Sequence, residues 1–516
     1  MNILLTAINA KYIHSNLAVY SLRACAGEYR DAVELAEYTI NNQKDYILEE
    51  LYKRKPDVLC FSCYIWNIDY VTDIAREYKK LCPSVPIWVG GPEVSYEVEA
   101  FLRENPYIDG VMIGEGEDTF RELCGYYAHK RKLSDIAGIA FRKNSTGNST
   151  SVNNIGGNKA GEIVFTSPRP IKNMSEIPFC YDTLDDFSNR IIYYESSRGC
   201  PFSCSYCLSS VDKTLRFRDT EIVKRELKFF IDQKVPQIKF VDRTFNCNHA
   251  HAMELWRFIK ANDNGVTNFH FEISADLLNQ EELELISDMR PGLIQLEIGV
   301  QSTNEVTIKE IHRTMKLERL KEVVRLIQSG NNIHEHLDLI AGLPYEDYDS
   351  FGRSFDEIYE LKPNQLQLGF LKVLKGSYMF EHAAEYGIVY HDKPPYEVMS
   401  TKWLSFDDVI KIKRVEDMLE VYYNSGQFEI TMKLMECIFD SAFEFFQELG
   451  DFYEANGYFG MSHSRIRRCE ILLEFLALYL HGCDSDAMTS VGLSENDGDR
   501  DNTDFDENAQ IYSMIQ

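Results

Sequence analysis

The segment Ser197-Arg198-Gly199-Cys200-Pro201-Phe202-Ser203-Cys204-Ser205-Tyr206-Cys207 carries the clearest chemistry in the chain. Its spacing, Cys-x-x-x-Cys-x-x-Cys, places three thiols on one short loop. Thiolates suit iron–sulfur clusters and zinc. A structural zinc site normally takes four protein ligands, commonly from paired Cys-x-x-Cys units, and this loop supplies three. Three thiolates on a four-iron cube leave one iron open to an external amine and carboxylate. The thirteen cysteines are an odd number, and no secretion signal precedes them, so a disulfide framework is not expected. Cys25, Cys60, Cys82, Cys124 and Cys437 sit in apolar patterns and read as small buried hydrophobes.

The elements that must position this loop alternate strand and helix. Strand candidates run Ile191 to Glu195, Gln237 to Val241, Asn268 to Ile273, Leu293 to Val300, Glu335 to Ile340 and Gln365 to Leu371. Helical patterns separate them, as at Thr220 to Gln233, Ala250 to Ala261 and Leu317 to Ser329. Six βα units predict a partial (β/α)6 barrel whose site faces the strand C-termini. Asp242 and Asn246 follow the second of these strands and are candidates for a substrate pocket. Arg216 and Arg218 are candidates for cofactor or substrate contact, with a solvated pair as the alternative.

Upstream, strands at Ile3 to Ala7, Val33 to Tyr38, Asp57 to Ser62, Pro86 to Gly91 and Asp109 to Gly114 alternate with helical stretches. Near-continuous apolar strands between helices predict a doubly wound parallel sheet covered on both faces. Such a sheet binds ligands at the carboxyl ends of its strands. The expected layout is an N-terminal α/β domain over residues 1–135, a linker or hairpin over 136–185 and the barrel over 186–390. A helical domain over 391–482 and an acidic tail over 483–516 follow. Asn144 to Lys159, rich in Ser, Asn and Gly, reads as a mobile loop or hairpin tip. The tail is expected to be disordered. Tyr422, Tyr423, Phe445 and Phe446 lie in helical segments and read as core, with a pocket wall as the alternative.

Hydrophobic residues make up 44% of the 516-residue chain, and the net charge is -27. That charge disfavours nonspecific nucleic-acid binding. No apolar run reaches bilayer length. Met1 to Ala7 reads as a strand rather than a signal peptide, so a cytoplasmic location is expected.

The cysteine loop, with Tyr206 before its last Cys and a βα repeat behind it, resembles the radical S-adenosylmethionine (SAM) superfamily. Its coproporphyrinogen-dehydrogenase-like members offer a close motif comparison. Phe271-Glu272-Ile273 resembles their strand whose Glu meets the SAM ribose. Gly299-Val300-Gln301-Ser302 resembles their Gly-Val-Gln strand end. Arg313 falls where they place an Arg near the SAM carboxylate, and Asp338 with Gly342-Leu343-Pro344 matches their segment around the adenosine. The resemblance implies a [4Fe-4S] cluster on Cys200, Cys204 and Cys207, with SAM contacted by Tyr206, Glu272, Gln301, Ser302, Arg313 and Asp338. It implies reductive cleavage of SAM to a 5′-deoxyadenosyl radical, an anaerobic or reducing setting, and a one-electron donor such as flavodoxin or ferredoxin.

Before such a barrel, the first domain resembles a cobalamin-binding domain. The residues that carry this are Ser62 through Asn67, Gly90-Gly91-Pro92-Glu93 and Gly114-Glu115-Gly116-Glu117, each following a strand. Small residues there let the backbone approach a flat macrocycle. A dinucleotide-binding domain is the rival, but no Gly-x-Gly-x-x-Gly opens the first helix. The contacts this resemblance implies are His14, Ser62, Asn67, Gly90, Gly91, Glu93, Gly114, Glu115 and Gly116. The Asp-x-His-x-x-Gly of cobalamin mutases is incomplete at Tyr12-Ile13-His14-Ser15-Asn16-Leu17. His14 therefore reads as a polar loop residue near the pocket rather than a cobalt ligand.

The whole chain resembles cobalamin-binding-domain radical SAM proteins, including anaerobic Mg-protoporphyrin monomethyl ester cyclase-like members. Its C-terminal part resembles an uncharacterised family domain. Three functions remain open: cobalamin-dependent methyl transfer to an unactivated carbon or phosphorus, radical cyclisation or oxidation of a tetrapyrrole or other metabolite, and a non-catalytic iron–sulfur or cobalamin sensor. A small-molecule substrate is expected.

Overall fold

A computed structural model of the chain describes residues 1–143, 161–211 and 213–490. The Ser/Asn/Gly-rich loop and most of the acidic tail lie outside the described residues. The chain divides into two compact units. The first comprises 1–299, 308–335 and 370–401, and the second comprises 300–307, 336–369 and 402 onward.

The first unit opens with a seven-stranded sheet. Its strands are β1 (Ile3–Asn9), β2 (Val33–Thr39), β3 (Val58–Ser62), β4 (Ile87–Gly90), β5 (Gly110–Met112), β6 (Ile139–Arg142) and β7 (Ile163–Phe165), in the order β2-β1-β3-β4-β5-β6-β7. The first five are parallel, in register at Ile3↔Val33, Ile3↔Val58, Leu59↔Ile87 and Trp88↔Gly110. Alternate side chains leave opposite faces. Leu4, Ile8, Leu59 and Phe61 enter one core, while Ile3, Leu5, Ala7 and Cys60 enter the other. Helices α1 (Leu17–Cys25), α2 (Lys44–Arg54), α3 (Ile68–Leu81), α4 (Val98–Glu104) and α5 (Glu117–Tyr127) intervene. Ile47, Leu51, Val71 and Tyr78 of α2 and α3 close the first core, and Val19, Phe120 and Leu123 of α1 and α5 close the second. Every residue of β1 is buried, which explains its unbroken apolar run. The expected connector is partly sheet: β6 and β7 add two antiparallel strands to the edge.

The barrel strands in this unit are β8 (Ile192–Tyr194), β9 (Gln237–Phe240), β10 (Asn268–Ile273) and β11 (Ile294–Gln301), the last running on into the second unit. They pair in parallel at Ile238↔Ile192, Ile238↔Phe269 and Phe269↔Ile294. Helices α6 (Thr220–Asp232), α7 (His249–Ala261), α8 (Gln280–Ser287) and α9 (Leu317–Gly330) follow the strands in turn. Asp219 caps α6, Asn248 caps α7, and Asn279 with Glu282 forms a capping box on α8. Beneath the strands Phe271 packs on Phe245 and Phe240, with ring centroids 4.3 and 4.6 Å apart.

The second unit holds β12 (His334–Ala341, from residue 336), α10 (Tyr348–Tyr359) and β13 (Gln365–Phe370). Four helices follow: α11 (Phe406–Leu419), α12 (Glu429–Ile438), α13 (Ala442–Ala455) and α14 (Arg465–Ser490). Asp356 of α10 accepts from Ser441 Oγ and Phe443 N, at 2.7 and 2.8 Å, where α13 begins. Tyr422, Phe445 and Phe446 are buried core residues, not a pocket wall. Tyr423 donates to Pro363 O. Helix α14 runs through Ser490, past the boundary expected at 482. Among the cysteines, Cys437 is exposed, contrary to its apolar surroundings in sequence, because it lies on the outer side of α12.

One buried ion pair braces the first unit. Arg218 donates to Glu226 at 2.6 Å, both side chains under 8% exposed, and Tyr194 OH donates to the same carboxylate at 2.7 Å. Truncating one partner strands a buried charge at a cost of about 3–5 kcal/mol. Glu226→Ala is therefore expected to lower the thermal midpoint by several degrees, read by scanning calorimetry against Glu221→Ala, an exposed neighbour on the same helix.

Candidate functional site

The cysteine loop leaves the end of β8. Asp242, fully buried, accepts from Ser196 N at 3.0 Å, from Ser196 Oγ at 2.7 Å and from Ser197 Oγ. Burial pushes its carboxyl up to about 6. Asn246, also fully buried, donates to Ser274 O at 2.8 Å and accepts from Ser274 N at 3.0 Å. These two residues, expected to line a substrate pocket, instead brace the strand ends that carry the site. Gly199 has φ +93°, and a Cβ there would lie 2.6 Å from Thr214 O. Only glycine makes this turn into Cys200.

Cys200 is buried, and Cys204 and Cys207 are half-buried. Burial pushes the Cys200 thiol up, and charge on Cys207 and Cys204 pushes it the same way, so the three thiols share one neighbourhood. Among the described residues no three His, Cys, Asp or Glu side chains converge as ligands of a single ion do. A four-iron cube gives each thiolate its own iron, so its ligands stand further apart than those of zinc. The donor set fits a cube with one open iron.

Arg313 brackets this loop. It donates to Tyr206 OH at 3.3 Å, lies 3.9 Å from Cys204 Sγ and donates to Gly299 O. Glu272 stands in register with Glu297 on the neighbouring strand. Burial would raise Glu297, but His270 and Lys239, at 2.9 and 2.7 Å, outweigh it and hold the carboxyl down to about 2. At Glu272 burial outweighs the pull of Arg243 and Lys239 and pushes the carboxyl up to about 7. The two neighbouring carboxylates thus hold different protonation states near neutrality. In the second unit, Gln301 has φ +77°, and its buried Oε1 has no hydrogen-bond partner among the described residues. Such an orphaned acceptor fits a hydroxyl donor. Asp338 pairs with His336 at 3.2 Å. Ser302 is committed elsewhere, its hydroxyl donating to Glu346 at 2.6 Å. Arg216 and Arg218 are both paired, with Glu115 and Glu226.

A cavity of about 760 Å³ opens in the first unit. It lies beyond the carboxyl ends of β1, β3, β4 and β5, where the strand order reverses. His14 and Ser62 line it, as do Gly90 and Gly91 and the turn Gly114-Glu115-Gly116. Gly91 has φ +121°, and a Cβ there would lie 2.4 Å from Cys63 O. Gly114 has φ +76°, and a Cβ there would meet nothing within 4 Å. Tyr64 and Trp66 also line the wall, stacked with centroids 4.4 Å apart and planes 6° apart. Backbone turns without side chains and a flat aromatic pair fit a planar macrocycle.

His14 Nδ1 lies 2.7 Å from Tyr193 OH, and burial lowers the imidazole's pKa. Asn67 and Glu93 are not among the lining residues. The Asn67 amide donates to Ile8 O and Ser62 O, at 2.9 and 3.0 Å, holding two strand ends together. Glu93 accepts from Tyr396 OH. Both were expected to meet a ligand, and both hold loops in place.

Sequence reasoning missed two arginines at this cavity. Arg198 pairs with Glu195, Glu117 and Glu115, at 2.7, 2.9 and 3.3 Å. Arg243 lines the cavity, and its charge pulls the Glu272 carboxyl down. No periodicity marks either residue, and Arg198 meets Glu115 and Glu117 from far along the chain.

Comparison with known proteins agrees with this geometry. Residues 3–124 match the B12 binding domain family, 194–358 the radical SAM superfamily, and 384–502 a family described as a protein of unknown function (DUF4080). The chain is 27% identical over 360 residues to the cobalamin-dependent radical SAM methyltransferase TokK of Streptomyces tokunonensis, covering 65% of this chain and 49% of that one. It is 22% identical over 355 residues to the anaerobic magnesium-protoporphyrin IX monomethyl ester cyclase of Rubrivivax gelatinosus, covering 66% and 60%. The chain spans about half the length of the first curated relatives it matches. The cobalamin-dependent SAM radical enzyme OxsB, solved with aqua-cobalamin and SAM, shares the fold at a TM-score of 0.64 and 14% identity, over 99% of this chain and 83% of that one. The chain therefore carries a B12 binding domain and a radical SAM domain in one polypeptide. It is a homologue of the cobalamin-dependent radical SAM methyltransferases and of the ester cyclases, and its domains call for a [4Fe-4S] cluster, SAM and cobalamin. Among the described residues no helix is long and apolar enough to cross a membrane.

Glu272 sets an expectation for SAM binding. A ribose hydroxyl binds an ionised carboxylate more strongly than a neutral acid, and Glu272 gains its charge only as pH rises through about 7. SAM affinity, measured by anaerobic equilibrium dialysis, is expected to fall roughly tenfold between pH 8 and pH 6. Glu272→Gln should bind weakly and flatten that dependence.

Proposed function

We propose that this protein is a cobalamin-dependent radical SAM enzyme that transfers a methyl group to an unactivated centre of a small-molecule substrate. The observation that carries the proposal is the cavity at the switch point of the first sheet, which reaches the strand end feeding the cysteine loop: Glu195 and Arg198 line it beside Gly91 and Gly114. When bound, the cluster and SAM supply a 5′-deoxyadenosyl radical and the corrin supplies a transferable methyl group.

The chain's own residues bind and orient. Cys200, Cys204 and Cys207 hold the cluster. Arg313 fixes Tyr206 and Gly299 of β11 and would pair with the SAM carboxylate. Glu272 of the first unit would take a ribose hydroxyl of SAM. The glycine turns after β4 and β5, with Tyr64 and Trp66, would receive the corrin in the cavity that His14 also lines. The positive charge of Arg243 at the cavity supports a substrate that carries an acidic group. Electrons come from a small one-electron donor such as flavodoxin or ferredoxin, in a reducing, oxygen-poor cytoplasm. Similarity to the ester cyclase supports a second reading, radical cyclisation of a tetrapyrrole or related metabolite. Methylation consumes a second SAM and releases S-adenosylhomocysteine, which cyclisation does not.

The test is cofactor retention. Protein reconstituted anaerobically with iron and sulfide, mixed with hydroxocobalamin and desalted, should show corrin bands beside broad iron–sulfur absorption. Cys207→Ala should lose the iron–sulfur absorption and keep the corrin. Gly91→Ala, which drives a Cβ into Cys63 O, should do the reverse. A wild-type spectrum without corrin after desalting would overturn the cobalamin assignment.

A further inference from the structure

In the first unit the cysteine loop hangs on a small ribbon. Ser197 and Arg198 pair antiparallel with Phe217 and Arg216. The Arg218 N–H closes the base of the ribbon on Ser196 O at 2.9 Å. A two-stranded pair this short has little stability of its own. Cys200 follows directly after Arg198 and Gly199, so whatever holds the ribbon holds the first thiol.

Two side chains grip the ribbon from the barrel. One is Asp242, described above. The other is His251, in the first turn of α7 and 5% exposed, which no motif singled out. Its Nε2 lies 3.0 Å from Ser196 Oγ, at the foot of one strand. Its ring packs on Phe217 of the other strand, with centroids 4.8 Å apart. Its own N–H donates to the capping residue Asn248 at 3.2 Å, which fixes the ring's place at the helix start.

The direction of the bond to Ser196 follows from proton counting. Ser196 has one hydroxyl proton, and Asp242 Oδ1 takes it at 2.7 Å. His251 must therefore donate its Nε2–H to Ser196 Oγ. Burial lowers the imidazole to about 4, so the ring is neutral and Nε2 carries its single proton. Serine, histidine and aspartate here do not form a hydrolytic site, because Ser196 is fully buried and its proton is committed to the carboxylate. The other contact of the same strand end points at the cluster loop: Thr244 Oγ1, two residues past Asp242, lies 3.9 Å from Cys200 Sγ.

We propose that His251 is a positioning residue for the iron–sulfur cluster. Its donation to Ser196 and its packing on Phe217 pin both strands of the ribbon to α7, and the ribbon presents Cys200. The proposal rests on the reading that Cys200, Cys204 and Cys207 hold a cluster. His251 touches none of the three thiols and acts through Ser196.

The experiment follows the cluster in anaerobically reconstituted full-length protein. It reads the rate of iron loss to a chelator and the electron paramagnetic resonance signal of the reduced cluster. His251→Phe keeps a ring against Phe217 and removes the donor. It is expected to lose iron roughly tenfold faster than wild type, with a shifted signal. His251→Gln retains an N–H donor and should stay within about threefold of wild type. Ser196→Ala removes the acceptor, so adding His251→Phe to it should speed the loss no further. Should His251→Phe not fold, Ser196→Ala carries the same expectation of faster loss. A wild-type rate and signal in His251→Phe, or in Ser196→Ala, overturns the positioning role. So does His251→Gln that loses iron as fast as His251→Phe, or full additivity in the double variant. Wild type that takes up no cluster overturns both this role and the reading beneath it.

Discussion

Arg198 is the joint on which the functional half of this molecule depends. It sits two residues before Cys200, and it pairs with Glu115 and Glu117 of the turn that closes the first sheet's cavity. Arg216, in antiparallel register with Arg198, grips Glu115 as well. The cluster loop and the cavity turn thus share one charged seam. Such pairs contribute little net stability once their desolvation is counted. Their value is geometric, because a guanidinium forked between carboxylates fixes both partners in angle as well as distance. Under the proposed function this seam sets the relation between the radical source and the methyl donor.

Around that joint, the fold follows from parallel strands. A sheet covered on both faces leaves only its strand ends free for chemistry. Both functional regions of the first unit lie at such ends. The corrin-type cavity stands beyond β1, β3, β4 and β5, and the cysteine loop follows β8. Loops at strand ends must be held by something other than the sheet. Here buried polar groups do so: Asp242 for Ser196 and Ser197, Asn246 for Ser274, Asn67 for Ile8 and Ser62.

The legibility of the sequence tracks the distance over which a feature is built. The cysteine loop was readable because its ligands lie within one turn of chain. The strands were readable because burial on both faces writes an apolar run. Asp242, Asn246, Asn67 and Glu93 were read as ligand contacts from their place after strands, and the place was right. Their partners, reached across the fold, decide the role, and spacing carries no trace of them. Arg198 meets Glu117 across 81 residues, and Ser302 meets Glu346 across 44. Strands β6 and β7 pair as an antiparallel hairpin within residues 136–185, which the sequence left open between linker and hairpin.

The most direct test of the central claim is the fate of SAM itself. Reconstituted protein with bound corrin, given a low-potential reductant and methyl-deuterated SAM, would be assayed for 5′-deoxyadenosine and S-adenosylhomocysteine. The account predicts both products, with the first lost in Cys207→Ala and the second lost when corrin is omitted. 5′-Deoxyadenosine without S-adenosylhomocysteine, from protein that demonstrably holds corrin, would contradict methyl transfer.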